Sequence, residues 1–453
     1  MPVSTPYFDG FIPFGYQRDC LHLLYDHDYS KCTPEILLSG SVGSAKSILC
    51  AHWAIAHCLR NPGARVAISR QSLPDLRKTI YLEIVEHLDN SFIEGVHFKK
   101  RDNTCDIRFA NGSEIIAVSF GDKRWNKVRS LKLSGVIIEE GTDFDPDFYE
   151  DGGGFKLFKA RLRRIHNVKE NFLIVATNPD SPDHFLYDYF IEGEQKHDSR
   201  FCFYSVTTDN PFLDAVYIKQ LKQDYSKLEA ERYLRGKWIS LMGKGIYHSF
   251  SEKNISKTDY KVDRNYPIYV TFDFNIAAGK PLSSIMYQYV NKVFHFFAES
   301  IIEDAYTYEG VDDFYNRELI NRDNFYIIQG DATGRNRDPS SKQTNYDVIE
   351  EYLARRLINF EIDVPRKNPP IRTRHSVVNA QCCNDLNQVR VKFYKNVPVA
   401  IQGMKLTKLK KGANYIEDDS AKSPYQHVTT AIGYGICATI DTISQKRQGT
   451  VEL

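Results

Sequence analysis

The chain has 453 residues, 42% hydrophobic and 13% aromatic, which is ample for packed globular domains and too long for a single core. Its 59 Lys and Arg against 58 Asp and Glu leave a formal net charge of +1, which excludes a uniformly basic nucleic-acid coat but leaves room for local basic patches. The sequence holds no apolar run of about 18 residues, no basic-then-apolar start of a secretory type, and nine scattered cysteines without CxxC spacing, so the expectation is a cytoplasmic, reduced protein with no membrane segment.

In chain order, Phe14-Gly15-Tyr16-Gln17-Arg18 offers a side-chain amide able to read both the donor and the acceptor of adenine. Residues 36–38 form an apolar strand that runs into Gly40-Ser41-Val42-Gly43-Ser44-Ala45-Lys46-Ser47, and a helix follows from 46 to about 59. This is a Walker A spacing: backbone N–H groups and the helix N-terminus cradle phosphates, Lys46 reaches the β/γ-phosphates and Ser47 holds Mg²⁺. Ala45 departs from the usual glycine and fits only if its φ stays negative. A second strand (65–69) and helix (74–88) follow, then a hairpin with Asn111-Gly112 as its turn.

Residues 134–138 and 172–176 read as strands buried on both faces of a parallel sheet. The first ends in Glu139-Glu140: Glu139 is expected beside Mg²⁺, and Glu140 is expected to orient the attacking water. The second ends in Thr177-Asn178-Pro179, with Thr177 and Asn178 expected beside the phosphates. Residues 217–238 read as helical, and 243–245 and 251–264 break the pattern before a second α/β region begins with a strand at 266–273. There, Asp273 ends one strand, and Asp331 in Gln329-Gly330-Asp331-Ala332-Thr333-Gly334 ends another. Two such carboxylates on neighbouring strands can hold two divalent cations for in-line phosphodiester hydrolysis.

The ordered set resembles the large terminase subunit of tailed bacteriophages. It comprises the Walker loop, the Glu-Glu strand, Ala176-Thr177-Asn178-Pro179 with His184, Leu234-Arg235-Gly236-Lys237-Trp238, and Gly243-Lys244-Gly245-Ile246-Tyr247. The resemblance runs from Gln17 to Tyr434. It implies an α/β P-loop packaging ATPase domain followed by an RNase H-like α/β nuclease domain. The expected boundaries are 1–240 with a helical lid near the end, a linker at 241–264, and 265–453. It also implies that Gln17 reads adenine, that Thr177 belongs to a coupling motif, and that Arg129 acts in trans on a neighbour's ATP. Family members often carry an arginine in the Walker loop; Val42 and Gly43 stand there here, which shifts charge stabilisation onto Arg129 and Lys46.

The third nuclease acid breaks the pattern. Where the family reads His-x-x-Asp-Ala-x-x-Tyr, this chain has His427-Val428-Thr429-Thr430-Ala431-Ile432-Gly433-Tyr434. Asp419 is expected to take over from Thr430, with Asp418 and Glu299 as alternatives, or else DNA completes a weaker metal site. Arg366, Lys367, Arg372 and Arg374, and Lys405, Lys408, Lys410 and Lys411, suit contacts to a phosphate backbone. The expected cofactors are ATP and Mg, with Mn an option at the nuclease site. The resemblance implies double-stranded DNA, a portal protein and a small terminase subunit as partners, and a homo-oligomeric ring on the procapsid in the infected host's cytoplasm. Two alternatives stand beside it: a helicase-like ATPase, and a packaging ATPase whose C-terminal domain only binds DNA.

Overall fold

The structure, a computed structural model, describes residues 11–122, 124–162, 165, 168–192, 197–240, 245–274, 280–337, 343–409, 417–418 and 425–449, the last five of these as backbone only. Contacts divide the chain into two compact units, residues 1–218 with 231–241, and residues 219–230 with 242–453. Both are mixed α/β.

The first unit is built on eight strands: β1 (Glu35–Gly40), β2 (Arg65–Arg70), β3 (Phe98–Arg101), β4 (Asp106–Phe109), β5 (Glu114–Ser119), β6 (Gly135–Glu139), β7 (Phe172–Thr177) and β8 (Arg200–Ser205). Their order is β3-β4-β5-β2-β6-β7-β1-β8. The run from β5 to β8 is parallel, and β3 and β4 add an antiparallel edge through the Asn111-Gly112 turn. The central strands are apolar on both faces because both are covered. Ile36, Leu38, Ile137, Ile174 and Ala176 pack into one core with the helix Lys46–Arg60, whereas Leu37, Val136, Ile138, Leu173 and Val175 face the other. The strand ends, and with them the ligand loops, gather at one edge of the sheet.

The expected helix at 74–88 is present but broken. A short turn (Leu73–Leu76) and the helix Leu82–Ser91 flank a π-helical turn, Arg77–Tyr81, in which Thr79 has φ −119° and ψ −106°. The stretch expected as one helix at 217–238 is two, Ala215–Asp224 and Lys227–Tyr233. The break falls at Ser226, whose hydroxyl donates to Glu229 Oε2 (2.6 Å), a local side-chain bond that starts a new helix and stops the old one.

The second unit has β9 (Ile268–Asp273), β10 (Pro281–Val290), β11 (Val293–Glu303), β12 (Phe325–Gly330), β13 (Asn359–Ile362) and β14 (Val391–Phe393), in the order β13-β12-β9-β10-β11-β14. Strands β9, β10 and β11 form an antiparallel meander, and β12 and β13 add in parallel beside β9. That is the RNase H-like order. Along β9, Ile268, Val270 and Phe272 face the core that includes Val311 and Ile349, and Thr271 turns to the helix Gln426–Gly449, donating to Ala431 O (2.9 Å). Ile246 and Tyr247, within the stretch expected as a linker, are buried in this unit's other core, and residues 219–230, expected in the first domain, group with the second unit. All nine cysteines are unpaired. Among the described residues, no helix is long and apolar enough to cross a membrane.

Candidate functional site

At the C-terminal end of β1, the chain turns through Gly40–Ser47 into a buried helix. A Cβ on Gly40 would collide with Ser205 Oγ and come within 2.7 Å of Ser44 Oγ, so glycine is required by packing there. Gly43 has φ +75°. Ala45 also lies in the left-handed region, at φ 60° and ψ 35°. This overturns the expectation of a negative φ. An L residue adopts that conformation at a cost of about 1–2 kcal/mol, and it persists where surrounding contacts over-determine it. Those contacts are visible: Gln17 Nε2 donates to Ala45 O (3.0 Å), Tyr16 Oη donates to Ser44 O (2.7 Å), and Asn210 Nδ2 donates to Gly43 O (2.8 Å). Thr207 Oγ1 lies 2.7 Å from Val42 O and 3.0 Å from Ser41 Oγ. Gln17, expected to read adenine, thus has its amide nitrogen on the loop, and its oxygen accepts from Phe14 N (3.2 Å).

Lys46 is 8% exposed and folds back on the loop, donating to Gly40 O (2.8 Å), Ser41 O (2.9 Å) and Asn178 Oδ1 (3.1 Å). Asn178 Nδ2 in turn donates to Glu140 Oε2 (3.3 Å), so one amide joins the Walker lysine to the expected water-orienting acid. Burial lowers the Lys46 pKa to about 8, with Glu140 opposing the shift, and burial raises that of Glu140 against the pull of Lys46. Glu140 itself has φ 48° and ψ 56°, a second strained non-glycine residue on the same rim. Ser47 Oγ donates to Glu139 Oε1 (2.5 Å), bringing together the two side chains expected at Mg²⁺. Both offer hard oxygen donors, which suits that ion. Thr177 is fully buried, and its hydroxyl pairs with Thr142 Oγ1 (2.7 Å) just beyond Glu140, linking the ends of β7 and β6. Arg129 is exposed, on a 3₁₀ turn whose Arg129 O accepts from Arg161 Nη1 (2.7 Å).

In the second unit, β12 and β9 pair in register Gly330↔Phe272, so Asp331 and Asp273 leave neighbouring strands side by side. Asp331 N donates to Phe272 O (3.0 Å). Gly330 has φ +146°, and a Cβ there would strike the Phe272 backbone, so a glycine before Asp331 is what lets the two strand ends close. Both aspartates are nearly buried, at 7% and 8% exposure. Asp331 Oδ1 accepts from Thr333 N and Asn368 Nδ2 (both 2.7 Å), and His427 Nδ1 lies 3.1 Å from Asp273 Oδ2. Two oxygen ligands on adjacent strands fit Mg²⁺ or Mn²⁺, which keep several waters. Among the described residues, no group of three or more His, Cys, Asp or Glu is gathered tightly enough to hold a metal.

Asp419 lies outside the described residues, as do Gly243, Lys244, Lys410 and Lys411. Glu299 is a helix cap: its two oxygens accept from Val399 N and Ala400 N (2.8 Å each) at the start of the helix Pro398–Leu406. Arg374, expected on a phosphate-binding face, is 3% exposed and donates to Glu417 Oε1 (2.7 Å). His375 Nε2 sits 2.5 Å from the same oxygen. Burial pushes the Glu417 carboxyl up, yet the His375 and Arg374 donors outweigh it and hold the pKa at about 2. Thr430 faces this buried acid: Gln426 Nε2 lies 2.9 Å from Thr430 Oγ1 and donates to Glu417 Oε2 as well, and Thr430 Oγ1 is 3.5 Å from that oxygen. The sequence reading missed Arg70, Thr79, Thr142, Asn210 and Glu417. Only Arg70, at the end of a predicted strand, carried a signal that could have found it.

Residues 34–237 match the family described as Phage terminase large subunit. No curated protein matches the chain in sequence. Over its whole length the fold is similar to the large terminase from a thermophilic bacteriophage, with 16% identity, a TM-score of 0.63, and coverage of 94% of this chain and 98% of that one. The same terminase in complex with ADP matches at 14% identity and a TM-score of 0.60, covering 92% and 98%. Its complex with ATP-gamma-S matches at 15% and 0.60, covering 94% and 98%.

Proposed function

We propose that this chain, identified as a phage large terminase subunit by its sequence match over 34–237 and its shared fold, is an ATP-driven motor that moves double-stranded viral DNA into a procapsid. We further infer that it cuts the DNA concatemer with a metal-dependent endonuclease. The observation that carries the motor reading is the meeting of Ser47 with Glu139 and of Lys46 with Glu140 through Asn178, all at one edge of a parallel sheet. In this reading ATP lies in the Gly40–Ser47 loop, in keeping with the ADP and ATP-gamma-S complexes of the similar phage terminase.

Lys46 swings from Gly40 O and Ser41 O onto the phosphates. Glu140 orients the attacking water, Asn178 reports the change to it, and Thr177 passes the change to Thr142 and the loop after β6. Ser47 and Glu139 hold Mg²⁺, which when bound bridges phosphate oxygens and offsets their charge. Arg129, exposed in its own subunit, reaches a neighbour's ATP in a homo-oligomeric ring. Portal protein and small terminase subunit complete the assembly in the host cytoplasm. In the second unit Asp273 and Asp331, with Asp419, hold the metal ions that activate water and steady the leaving oxygen. Asn368 and His427 fix the two aspartates in place.

The test is ATP turnover by the full chain and its Lys46→Ala variant, with plasmid cleavage in Mn²⁺ by the wild type and Asp273→Ala. Turnover lost with Lys46, together with cleavage that survives that change and vanishes with Asp273, supports both activities. A second reading, an ATPase whose C-terminal unit only binds DNA, is favoured by Thr430, which presents a hydroxyl where the family has an acid. Absence of cleavage with any divalent metal decides for it.

A further inference from the structure

Glu139 is 2% exposed and both of its oxygens are engaged. Ser47 Oγ bonds Oε1, and Oε2 accepts from Thr79 Oγ1 (2.6 Å) and Arg70 Nη1 (3.4 Å). Arg70 also donates to Thr79 Oγ1 (2.9 Å), and its other terminal nitrogen lies 4.0 Å from Asp143 Oδ2. The placement follows from the sheet: β2 and β6 pair in parallel with Ser69 opposite Ile138, so the next residues, Arg70 and Glu139, emerge together. Thr79 arrives from the π-helical turn where its own backbone leaves helical geometry. Breaks of this kind recur at functional sites because they re-aim a side chain that a regular helix points elsewhere.

The Gly40–Ser47 loop contains no arginine, whereas Arg70 stands within reach of the carboxylate that shares a hydrogen bond with Ser47. A hard cation held by Ser47 and Glu139 replaces the donors that Glu139 has here. The guanidinium so displaced stays charged and presents a planar fork of donors that matches phosphate oxygens. We propose that Arg70 is the in-cis, triphosphate-sensing cation of this ATPase site, resting on Glu139 in this structure and turning onto the terminal phosphate when a metal–nucleotide complex takes that carboxylate over. The proposal rests on the ATPase reading above and adds to it a residue that distinguishes ATP from ADP.

The experiment uses the full chain with Mg²⁺, measuring affinity for ATP-gamma-S and for ADP, ATP turnover and thermal midpoint, in wild type, Arg70→Ala and Arg70→Lys. Arg70→Ala is expected to bind ADP within about threefold of wild type and to lose about tenfold for ATP-gamma-S, the worth of one charge-assisted phosphate contact. Its turnover is expected to fall about 100-fold, the scale of losing one preorganised donor. Arg70→Lys, with a charge but no fork, recovers part of both. If Arg70→Ala loses turnover while its preference for ATP-gamma-S over ADP is unchanged, Arg70 only steadies Glu139 and the proposal falls. Wild-type turnover together with normal turnover in Arg70→Ala overturns it while leaving the ATPase reading intact; a wild type that binds no nucleotide sinks that reading itself. Should Arg70→Ala fail to fold, Arg70→Gln carries the same comparison.

Discussion

Replacing Ala45 by glycine tests the strain in the phosphate loop. Ala45 sits at φ 60° and ψ 35°, where an L residue is disfavoured by about 1–2 kcal/mol relative to the right-handed region. Glycine removes that cost but loses about 0.4–1 kcal/mol through the greater freedom of the unfolded chain. Ala45 is also the residue before the helix Lys46–Arg60, a position where glycine is preferred to alanine. The net expectation is stabilisation by about 0.5–1 kcal/mol, or a rise of roughly 1–4 °C for a unit of this size. Scanning calorimetry of the full chain measures it, with the ATPase unit's transition identified as the one ATP-gamma-S raises. Ala45→Val, β-branched and worse in this conformation, is expected to lower the same transition. A fall on going to glycine, or no difference between glycine and valine, refutes the argument that Ala45 is held against its preference.

Glu417→Gln is expected to destabilise the second unit by about 3–5 kcal/mol, because it strands the buried Arg374 guanidinium; a urea titration showing less than about 1 kcal/mol contradicts the pairing. Thr430→Asp places a carboxylate beside Glu417, so the thermal midpoint of metal-free protein is expected to fall, with Mn²⁺ restoring part of the loss and raising plasmid cleavage; a midpoint unmoved by Mn²⁺ argues against position 430 facing the metals. His57 has its pKa pushed down from 6.5 to about 3, by burial first and Arg60 second. Its unfolded form therefore takes up the extra proton between these values, and stability falls as pH drops through that window by about 1.4 kcal/mol per unit. His57→Gln should flatten the change in urea midpoint between pH 7 and pH 5, and an unchanged slope rejects the assignment. Arg129→Ala, an exposed change, is expected to leave stability within about 0.5 kcal/mol while abolishing ATP turnover of the assembled motor. Turnover near normal removes Arg129 from the site.

Much of the fold was legible because apolar runs fix strands and their ends. The runs ending at Gly40, Glu139, Thr177, Asp273 and Gly330 all became strands, and parallel pairing aligned their ends by itself. The motif order along the chain was likewise enough to identify the family, since each motif is short and local. What stayed hidden depends on contacts between residues far apart in sequence or on backbone angles. Nothing in a Ser-Ala-Lys string says that Ala45 adopts a left-handed conformation; Gln17, Tyr16 and Asn210, brought in from distant segments, over-determine it. Arg374 reads as one more cation in a basic stretch until the fold sets Glu417 against it and removes both from water. Likewise Arg70 acquires a partner only because the register of β2 on β6 delivers it beside Glu139. Sequence thus determined which chemical groups the chain carries and the strands that end in them. The tertiary structure decided which of those groups neutralise one another, because burial makes pairing obligatory and packing alone chooses the partner.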